Sequence, residues 1–198
     1  MSSLRLPVET GNLRLRPFRQ DDAEAVARYY TLPGVQRYLD RPARYAEDVV
    51  AAIGLMRKQV ELHRPGDRLT LAIERKSDST LIGQVCLHWA DATSGQGEVR
   101  FIIDPAHSGQ GYLAEALTAL FDLAFEHFRI HRLMVRCDGR CHHSIQLMQK
   151  LGMRLEAHYR EHALFQGEWD EELHFAVLDR EWRPYTKIYE LPRRDRVA

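Results

Sequence analysis

The stretch between residues 104 and 116 carries the pattern that most clearly predicts a ligand site. Two glycines stand one residue apart, at Gly109 and Gly111, and an apolar series with helical spacing begins directly after them. Glycine lets the backbone approach a ligand closely, and the unpaired N–H groups at the start of a helix attract an anion. The pattern therefore predicts a loop that binds a diphosphate. The alternative is a tight strand-to-helix turn that binds no ligand.

The same glycines also match the G-x-G-x-x-A pattern of dinucleotide-binding proteins, from Gly109 to Ala114. A nicotinamide-dependent oxidoreductase is therefore one functional alternative. The position of the pattern argues against it, because it lies past the midpoint of the chain and only one strand–helix–strand unit follows. A doubly wound sheet needs more of these units. The oxidoreductase is therefore the weaker hypothesis.

A second group of reactive side chains lies between residues 137 and 143. It consists of two cysteines and two adjacent histidines, the usual ligands of zinc: Cys137, Cys141, His142 and His143. Their spacing is poor for one ion, because neighbouring residues on a strand or a helix point apart. No second ligand pair occurs at the distance typical of a zinc ribbon. The sequence therefore predicts no metal site.

The elements that must position these residues are strands and helices with hairpins in the middle of the chain. Apolar residues at every second position indicate strands, and apolar residues three or four positions apart indicate helices. The expected strands are residues 13–17, 69–74, 80–89, 97–103, 132–137 and two more around Gly167. The expected helices are residues 20–30, 46–62, 112–128 and 144–151. This order predicts a mixed α+β fold rather than a regular βαβ series.

Composition excludes several classes of protein. The chain has 198 residues with 28 basic and 28 acidic side chains, whereas a binder of the nucleic-acid backbone normally carries a basic surplus. No apolar stretch reaches the roughly 18 residues of a membrane span, and the first residues lack the apolar core of a signal peptide. The three cysteines are best explained as reduced thiols. We therefore expect a cytoplasmic protein with no nucleic-acid or membrane partner.

The loop and its flanks, in the form strand–PxxxGxGYxxEA–helix, resemble the acetyl-CoA loop of the GCN5-related N-acetyltransferase (GNAT) superfamily. The resemblance is to its ribosomal-protein N-terminal acetyltransferase-like (RimJ/RimL-type) subgroup in particular, and it runs from about Leu13 to Trp182. The further motifs follow in the family's order. They are LRLRP at 13–17, IG at 82–83, Glu98 ahead of FII at 101–103, HRL at 131–133, SIQLMQKLG at 144–152, Glu156, GEWD at 167–170 and EW at 181–182.

The resemblance implies the GNAT fold, in which a central mixed, mostly antiparallel sheet splays and is flanked by helices. It implies one acetyltransferase domain over residues 1–182 and a C-terminal tail over residues 183–198. The pantetheine arm of acetyl-CoA would lie in the splay, and its diphosphate would rest on the glycine loop. The implied cofactor-binding residues are Phe101, Ile102, Ile103, Ser108, Gly109, Gln110, Gly111, Tyr112, Leu113, Cys141 and Ser144.

Acetyl transfer from a thioester to an amine requires a neutral amine and a proton for the leaving thiolate. Glu98 matches the family's position beside the acetyl group and is the first candidate for base or substrate anchor. Glu156, where the subgroup also carries a glutamate, is the second candidate. Ser144 is the candidate proton donor to sulfur, with a cap at the start of its helix as the alternative. The family mechanism implies direct transfer within a ternary complex.

Four positions depart from the family pattern. The family usually has Gln or Arg at Ser108, Gly or Ala at Leu113, Asn at Cys141 and a general-acid Tyr at Met148. These changes leave a non-catalytic acyl-CoA-binding module as an alternative to an enzyme.

The acceptor would be a primary amine, either a protein N-terminus or a small molecule such as an aminoglycoside or a polyamine. Two acidic groups are candidates to attract a cationic amine, although such runs are usually solvated faces: Asp21 and Asp22, and Asp170, Glu171 and Glu172. A homodimer remains an open alternative for the assembly.

Overall fold

The computed structural model describes residues 4–32, 35, 45–165 and 167–182. Eight strands form one sheet: β1 (Val8–Glu9), β2 (Leu13–Arg16), β3 (Arg68–Arg75), β4 (Thr80–Asp91), β5 (Gln96–Ile103), β6 (Arg132–Asp138), β7 (Arg154–Phe165) and β8 (Glu168–Leu178). Their order across the sheet is β1-β2-β3-β4-β5-β6-β8-β7. Within the described residues, β5 and β6 are the one parallel pair. The predicted α+β fold with a mixed, mostly antiparallel sheet is confirmed.

Helices cover both faces of the sheet. The four described α-helices are α1 (Ala23–Tyr30), α2 (Ala46–Met56), α3 (Tyr112–Asp122) and α4 (His142–Lys150). The apolar stripes of α3 and α4 pack into the larger core together with inward-facing residues of most strands. The stripes of α1 and α2 form a smaller core on Ala72 and Leu81. None of the helices in the described part of the chain has the length and apolar character needed to cross a bilayer.

The expected helix over residues 46–62 is too long by six residues. It ends at Met56, and the chain then turns to run beside β3, where the Gln59 carbonyl accepts a hydrogen bond from the Thr70 N–H at 2.7 Å. The helical spacing of Val60 had suggested one more turn. Residues 68–71 of β3 extend beyond its pairing with β2, and the Thr70 N–H among them binds the segment after Met56 instead. This pairing overrides the local helical pattern.

The expected helix over residues 112–128 has the predicted extent but changes type near its end. Residues Leu123–His127 form a π-helical turn, closed by a bond from the Phe128 N–H to the Leu123 carbonyl at 3.2 Å. The helix expected over 144–151 starts two residues earlier, at His142.

The arginine of the LRLRP motif holds the first strand to its neighbours. Arg16 is 5% exposed, and its guanidinium donates to both carboxylate oxygens of Asp22 at 2.8 Å and to Glu74 at 2.5 Å. Both carboxylates are also buried, and Glu74 forms a second ion pair with Arg14 at 2.6 Å, so two positive and two negative charges compensate one another. Asp22 was one of the acidic residues expected to attract a cationic amine. Its carboxylate is instead buried and paired with Arg16, where it stabilises the fold.

Candidate active site

The parallel strands β5 and β6 separate partway along their length. They are paired from Gln96 and Arg132 as far as Val99 and Val135. Beyond that point β5 continues to Ile103 with β4 on its other side, while β6 continues beside β8. Residues 100–103 of β5 therefore line a gap in the sheet, which is the splay that the family resemblance implied. Backbone groups along such a gap are free to pair with an extended ligand.

The glycine loop closes the carboxyl end of this gap. Both glycines have left-handed backbone angles, with φ of +75° at Gly109 and +85° at Gly111. A Cβ built on either residue would meet no heavy atom within 4 Å, so the space outside the loop is open. The turn that precedes the loop is held by the Asp104 carboxylate, which accepts from the Ala106 N–H at 3.0 Å.

The start of α3 supplies donors to that open space. Its first helical hydrogen bond joins the Glu115 N–H to the Gly111 carbonyl at 3.1 Å. The N–H groups of Tyr112, Leu113 and Ala114 precede this bond and have no acceptor within the helix. Together with the helix dipole they form an arrangement suited to a phosphate or diphosphate.

Glu115, the glutamate of the loop motif, has a structural role. Its carboxylate accepts hydrogen bonds from the Thr10 hydroxyl at 2.5 Å and from the Asn12 backbone N–H at 2.6 Å. Burial alone would raise the pKa of Glu115, but these donors outweigh it and the net pKa is lowered. The carboxylate thus fixes the first turn of α3, and with it the loop, to the β1–β2 turn.

Cys141 and Ser144 lie at the corresponding end of β6. Because β5 and β6 are parallel, the segments that follow them meet at the same edge of the sheet. Cys141 is the N-cap residue of α4, and its Sγ lies 3.1 Å from the Ser144 Oγ. Ser144 is the third residue of the helix, so the alternative that it caps the helix start is wrong. Met148, at the family's tyrosine position, is fully buried and has no proton to donate.

Glu98 lies on β5 just before the gap and is 7% exposed. Its Oε1 accepts from the Arg100 Nε at 2.9 Å, and from the Arg136 Nε at 3.0 Å and Nη2 at 2.6 Å. Burial would raise the pKa of Glu98, but the two guanidinium groups outweigh it and hold the pKa below its usual value. Such a carboxylate is a weak proton acceptor, so the geometry favours anchoring over direct base catalysis.

Glu156 lies on β7 and is directed towards the closed end of the β5–β6 pair. It forms ion pairs with Arg132, the first residue of β6, and with the Arg154 Nη2 at 2.8 Å. Burial opposes the change, but these two arginines lower the pKa of Glu156. The structure therefore associates Glu156 with a different charge cluster from Glu98, and its catalytic role stays a prediction.

The acidic residues of β8 are paired with basic groups. Glu172 lies 2.6 Å from the His174 Nε2, Glu171 lies 3.1 Å from the His158 Nε2, and Asp170 lies 3.7 Å from Arg140. They face neighbouring side chains of the sheet, and their attraction for an amine stays a prediction.

The cysteine–histidine cluster does not converge. Cys137 is buried in the larger core, where burial raises its pKa to about 12, whereas His142 and His143 are exposed on α4. Among the described residues, no three His, Cys, Asp or Glu side chains are grouped so that they could hold a metal ion.

Three residues of the site were missed from the sequence: His88, Arg100 and Arg136. His88 on β4 is directly opposite Glu98 on β5, and Arg136 reaches Glu98 from β6. The sequence placed His88 and Glu98 on neighbouring strands, but their direct pairing depends on a register shift between Trp89 and Asp91 that it did not indicate. Arg136 had no local signal, since it is 38 residues from Glu98.

A family model described as an acetyltransferase (GNAT) domain matches residues 12–154. The chain belongs to the GNAT acetyltransferase family. The N-acetyltransferase YnaD of Bacillus subtilis is 25% identical over 178 residues, which cover 88% of this chain and 98% of that protein. The [ribosomal protein uS5]-alanine N-acetyltransferase of Escherichia coli is 22% identical over 188 residues, covering 91% and 94%.

The fold agrees with this assignment. The crystal structure of a GNAT-family acetyltransferase from Bacillus anthracis superposes with a TM-score of 0.76 at 22% identity, covering 89% of this chain and 100% of that one. The predicted family and fold are confirmed, and the chain is an N-acetyltransferase of the GNAT family rather than an oxidoreductase.

Proposed function

We propose that this GNAT enzyme transfers the acetyl group of acetyl-CoA directly to a primary amine within a ternary complex. The observation that carries the proposal is the gap between β5 and β6 with the glycine loop at its carboxyl end. An extended arm that ends in a diphosphate fits this combination of strand edge and anion-binding helix start.

The residues of the gap and loop would hold acetyl-CoA in two ways. The backbone of Phe101–Ile103 would pair with the pantetheine arm. The N–H groups from Ser108 to Leu113, including Gly109, Gln110, Gly111 and Tyr112, would bind the diphosphate. Since these contacts use the backbone, the unusual side chains at Ser108 and Leu113 are compatible with them. The bound thioester would supply an activated acyl carbon.

Ser144 is the proposed proton donor to the leaving sulfur. Its hydroxyl lies in the first turn of α4, the helix that follows β6, and is 3.1 Å from the Cys141 Sγ. Met148, at the family's general-acid position, is buried and has no proton to donate. Ser144 is therefore the proposed donor among the family's functional positions. Its hydroxyl would also be within the reach of a cofactor that lies along β5.

The acceptor is proposed to be a protein N-terminus or a small-molecule amine. The printed name of the E. coli relative, an alanine acetyltransferase of ribosomal protein uS5, supports the first class. The sheet face beside the gap is lined by paired acids and arginines, a polar surface that suits a peptide terminus as well as a charged amine.

Two measurements test the proposal. Calorimetry with acetyl-CoA, CoA and NADH should show binding of the first two and not of the third. A thiol-release assay should then detect turnover with one or more of three amines: a peptide with a free N-terminal alanine, spermidine, or an aminoglycoside. Binding of NADH alone, or the absence of acetyl-CoA binding by the folded protein, would overturn the proposal.

A further inference from the structure

His88 has an environment that the fold does not explain. It lies on β4, directly across from Glu98 on β5. Its Nδ1 is completely buried and has no hydrogen-bond partner among the described residues, and it lies 3.8 Å from the Glu98 Oε2. The side chain as a whole is 24% exposed, so the accessible part of the ring lies away from Nδ1. An unpaired buried nitrogen is costly, and in a native protein it calls for a reason.

Glu98 presents one free oxygen to this histidine. Oε1 already accepts three N–H groups from Arg100 and Arg136, whereas Oε2 faces His88. Protonation of this carboxylate would forfeit both guanidinium contacts, which makes it a poor base. It is well suited to accept one more hydrogen bond, and a movement of about 1 Å would bring Nδ1 to ordinary bonding distance.

We infer that His88 accepts the proton of the amine substrate and that Glu98 is the positioning residue that orients its ring. An Nδ1–H directed at Glu98 fixes the neutral tautomer whose Nε2 carries the lone pair, as a carboxylate does in other histidine-based sites. This inference rests on the proposed acetyl transfer and names the group that makes the amine nucleophilic.

The proton balance of the reaction is complete with these groups. An ammonium substrate gives one proton to the His88 Nε2, and the freed lone pair attacks the thioester carbonyl carbon. A C–N bond forms and the C–S bond breaks, with its electron pair leaving on sulfur. The nitrogen loses its second proton to solvent water as the amide forms, and Ser144 passes one proton to the sulfur while it takes another from solvent, so that one proton is released overall. His88 returns its proton to solvent.

The charges around His88 explain why the carboxylate is needed. Arg68 is opposite it on β3, Cys86 precedes it by two residues on the same face, and Arg100 lies diagonally across on β5. The two guanidinium groups disfavour a positive imidazole, whereas Glu98 favours it. Removing the Glu98 charge should therefore make His88 harder to protonate.

The kinetic test uses His88→Gln, Glu98→Gln and the control His131→Gln. His131 is also paired with a carboxylate, 3.2 Å from Asp179, but it lies on the surface ahead of β6. His88→Gln should lower kcat about 100-fold or more near neutral pH, recover partly at alkaline pH and keep its acetyl-CoA affinity. Glu98→Gln should keep the acidic limb of the kcat/KM profile but move it to lower pH. His131→Gln should match wild type.

Three kinetic results would overturn the inference. One is a wild-type profile in His88→Gln. Another is complete loss of the acidic limb in Glu98→Gln while His88→Gln retains it, which would make Glu98 the base. The third is loss of the acidic limb in a further variant, His174→Gln, since His174 forms another histidine–carboxylate pair among the described residues of this sheet.

A titration without substrate separates this inference from the proposed function. The ring signals of His88, assigned by their loss in His88→Gln, should titrate at lower pH in Glu98→Gln than in wild type, by two-dimensional NMR of the ligand-free protein. Identical titration in both would show that the pair is not coupled and would overturn the inference. Normal coupling in a wild-type enzyme that releases no thiol with any amine would instead count against the proposed function.

Discussion

Replacement of Gly111 by alanine separates the two roles of the glycine loop, backbone geometry and ligand contact. Gly111 has φ of +85°, and a left-handed angle costs a residue with a Cβ about 1–2 kcal/mol. For a chain of this size each kcal/mol lowers Tm by roughly 2–4 °C, so Gly111→Ala should lower Tm by about 2–8 °C. The protein should remain folded.

Gly167 provides a matched control for this strain. It has the same φ of +85°, and a Cβ built on it also meets no heavy atom within 4 Å. It lies in the turn between β7 and β8, away from the glycine loop. Gly167→Ala should therefore show a similar loss of Tm.

The two variants should differ in their affinity for acetyl-CoA. The Cβ that Gly111→Ala adds would project into the open space outside the loop, where the diphosphate is proposed to lie. Displacing the ligand from one N–H donor costs about 1.5–3 kcal/mol for a hydrogen bond to a charged group. That loss corresponds to a Kd about 10- to 150-fold weaker. Gly167→Ala should bind as wild type does.

Thermal unfolding and isothermal titration calorimetry measure the two effects on the same preparations. Equal acetyl-CoA affinity in Gly111→Ala and wild type would remove the loop from the cofactor site. Equal weakening in both variants would show that the loss comes from general strain rather than from ligand contact.

Three further predictions concern other parts of the structure. Ser144→Ala should lower kcat more than it changes acetyl-CoA affinity, because its proton matters as charge develops on sulfur; unchanged kcat in steady-state assays would exclude Ser144 as the donor. Arg16→Met should cost about 3–5 kcal/mol in denaturant unfolding, because it removes the ion pair of the buried Asp22 and leaves the buried Glu74 with Arg14 alone. The control Arg64→Met removes an 84% exposed guanidinium and should cost at most about 1 kcal/mol, so equal losses would contradict the buried network. Glu115→Gln should be about 1–2 kcal/mol less stable than wild type at pH 7. Since the folded pKa of Glu115 is lowered, its contribution is present above about pH 4.5 and is lost as pH falls through that lowered value. The two unfolding curves should therefore converge in acid, and a constant difference across pH would refute this role.

The amino-acid sequence by itself determined the local elements and the family. Alternating apolar residues in β3, β4 and β5, the stripe along α3 and the paired glycines before it are patterns of neighbouring residues. Each reflects steric and burial preferences that act within a few positions of the chain. The order of motifs from Leu13 to Trp182 was enough to indicate the GNAT family and the position of the glycine loop.

Element boundaries were less well determined, because contacts from elsewhere in the chain decide them. The helix α2 ends at Met56 since Gln59 pairs with Thr70 of β3, eleven residues away. Ser144 was a plausible cap by type, but α4 begins earlier, at His142. Small differences in free energy at a helix end are easily outweighed by such tertiary contacts.

Only the tertiary structure decided the electrostatic environment of the candidate catalytic residues. Glu98 could be chosen from the sequence as a carboxylate on the correct strand, but its pairing with Arg136 depends on β6 lying beside β5. His88 acquires its buried nitrogen through the register of β4 against β5. Whether a side chain accepts a proton depends on the charges and burial within a few ångströms of it, and strands distant in sequence supply them.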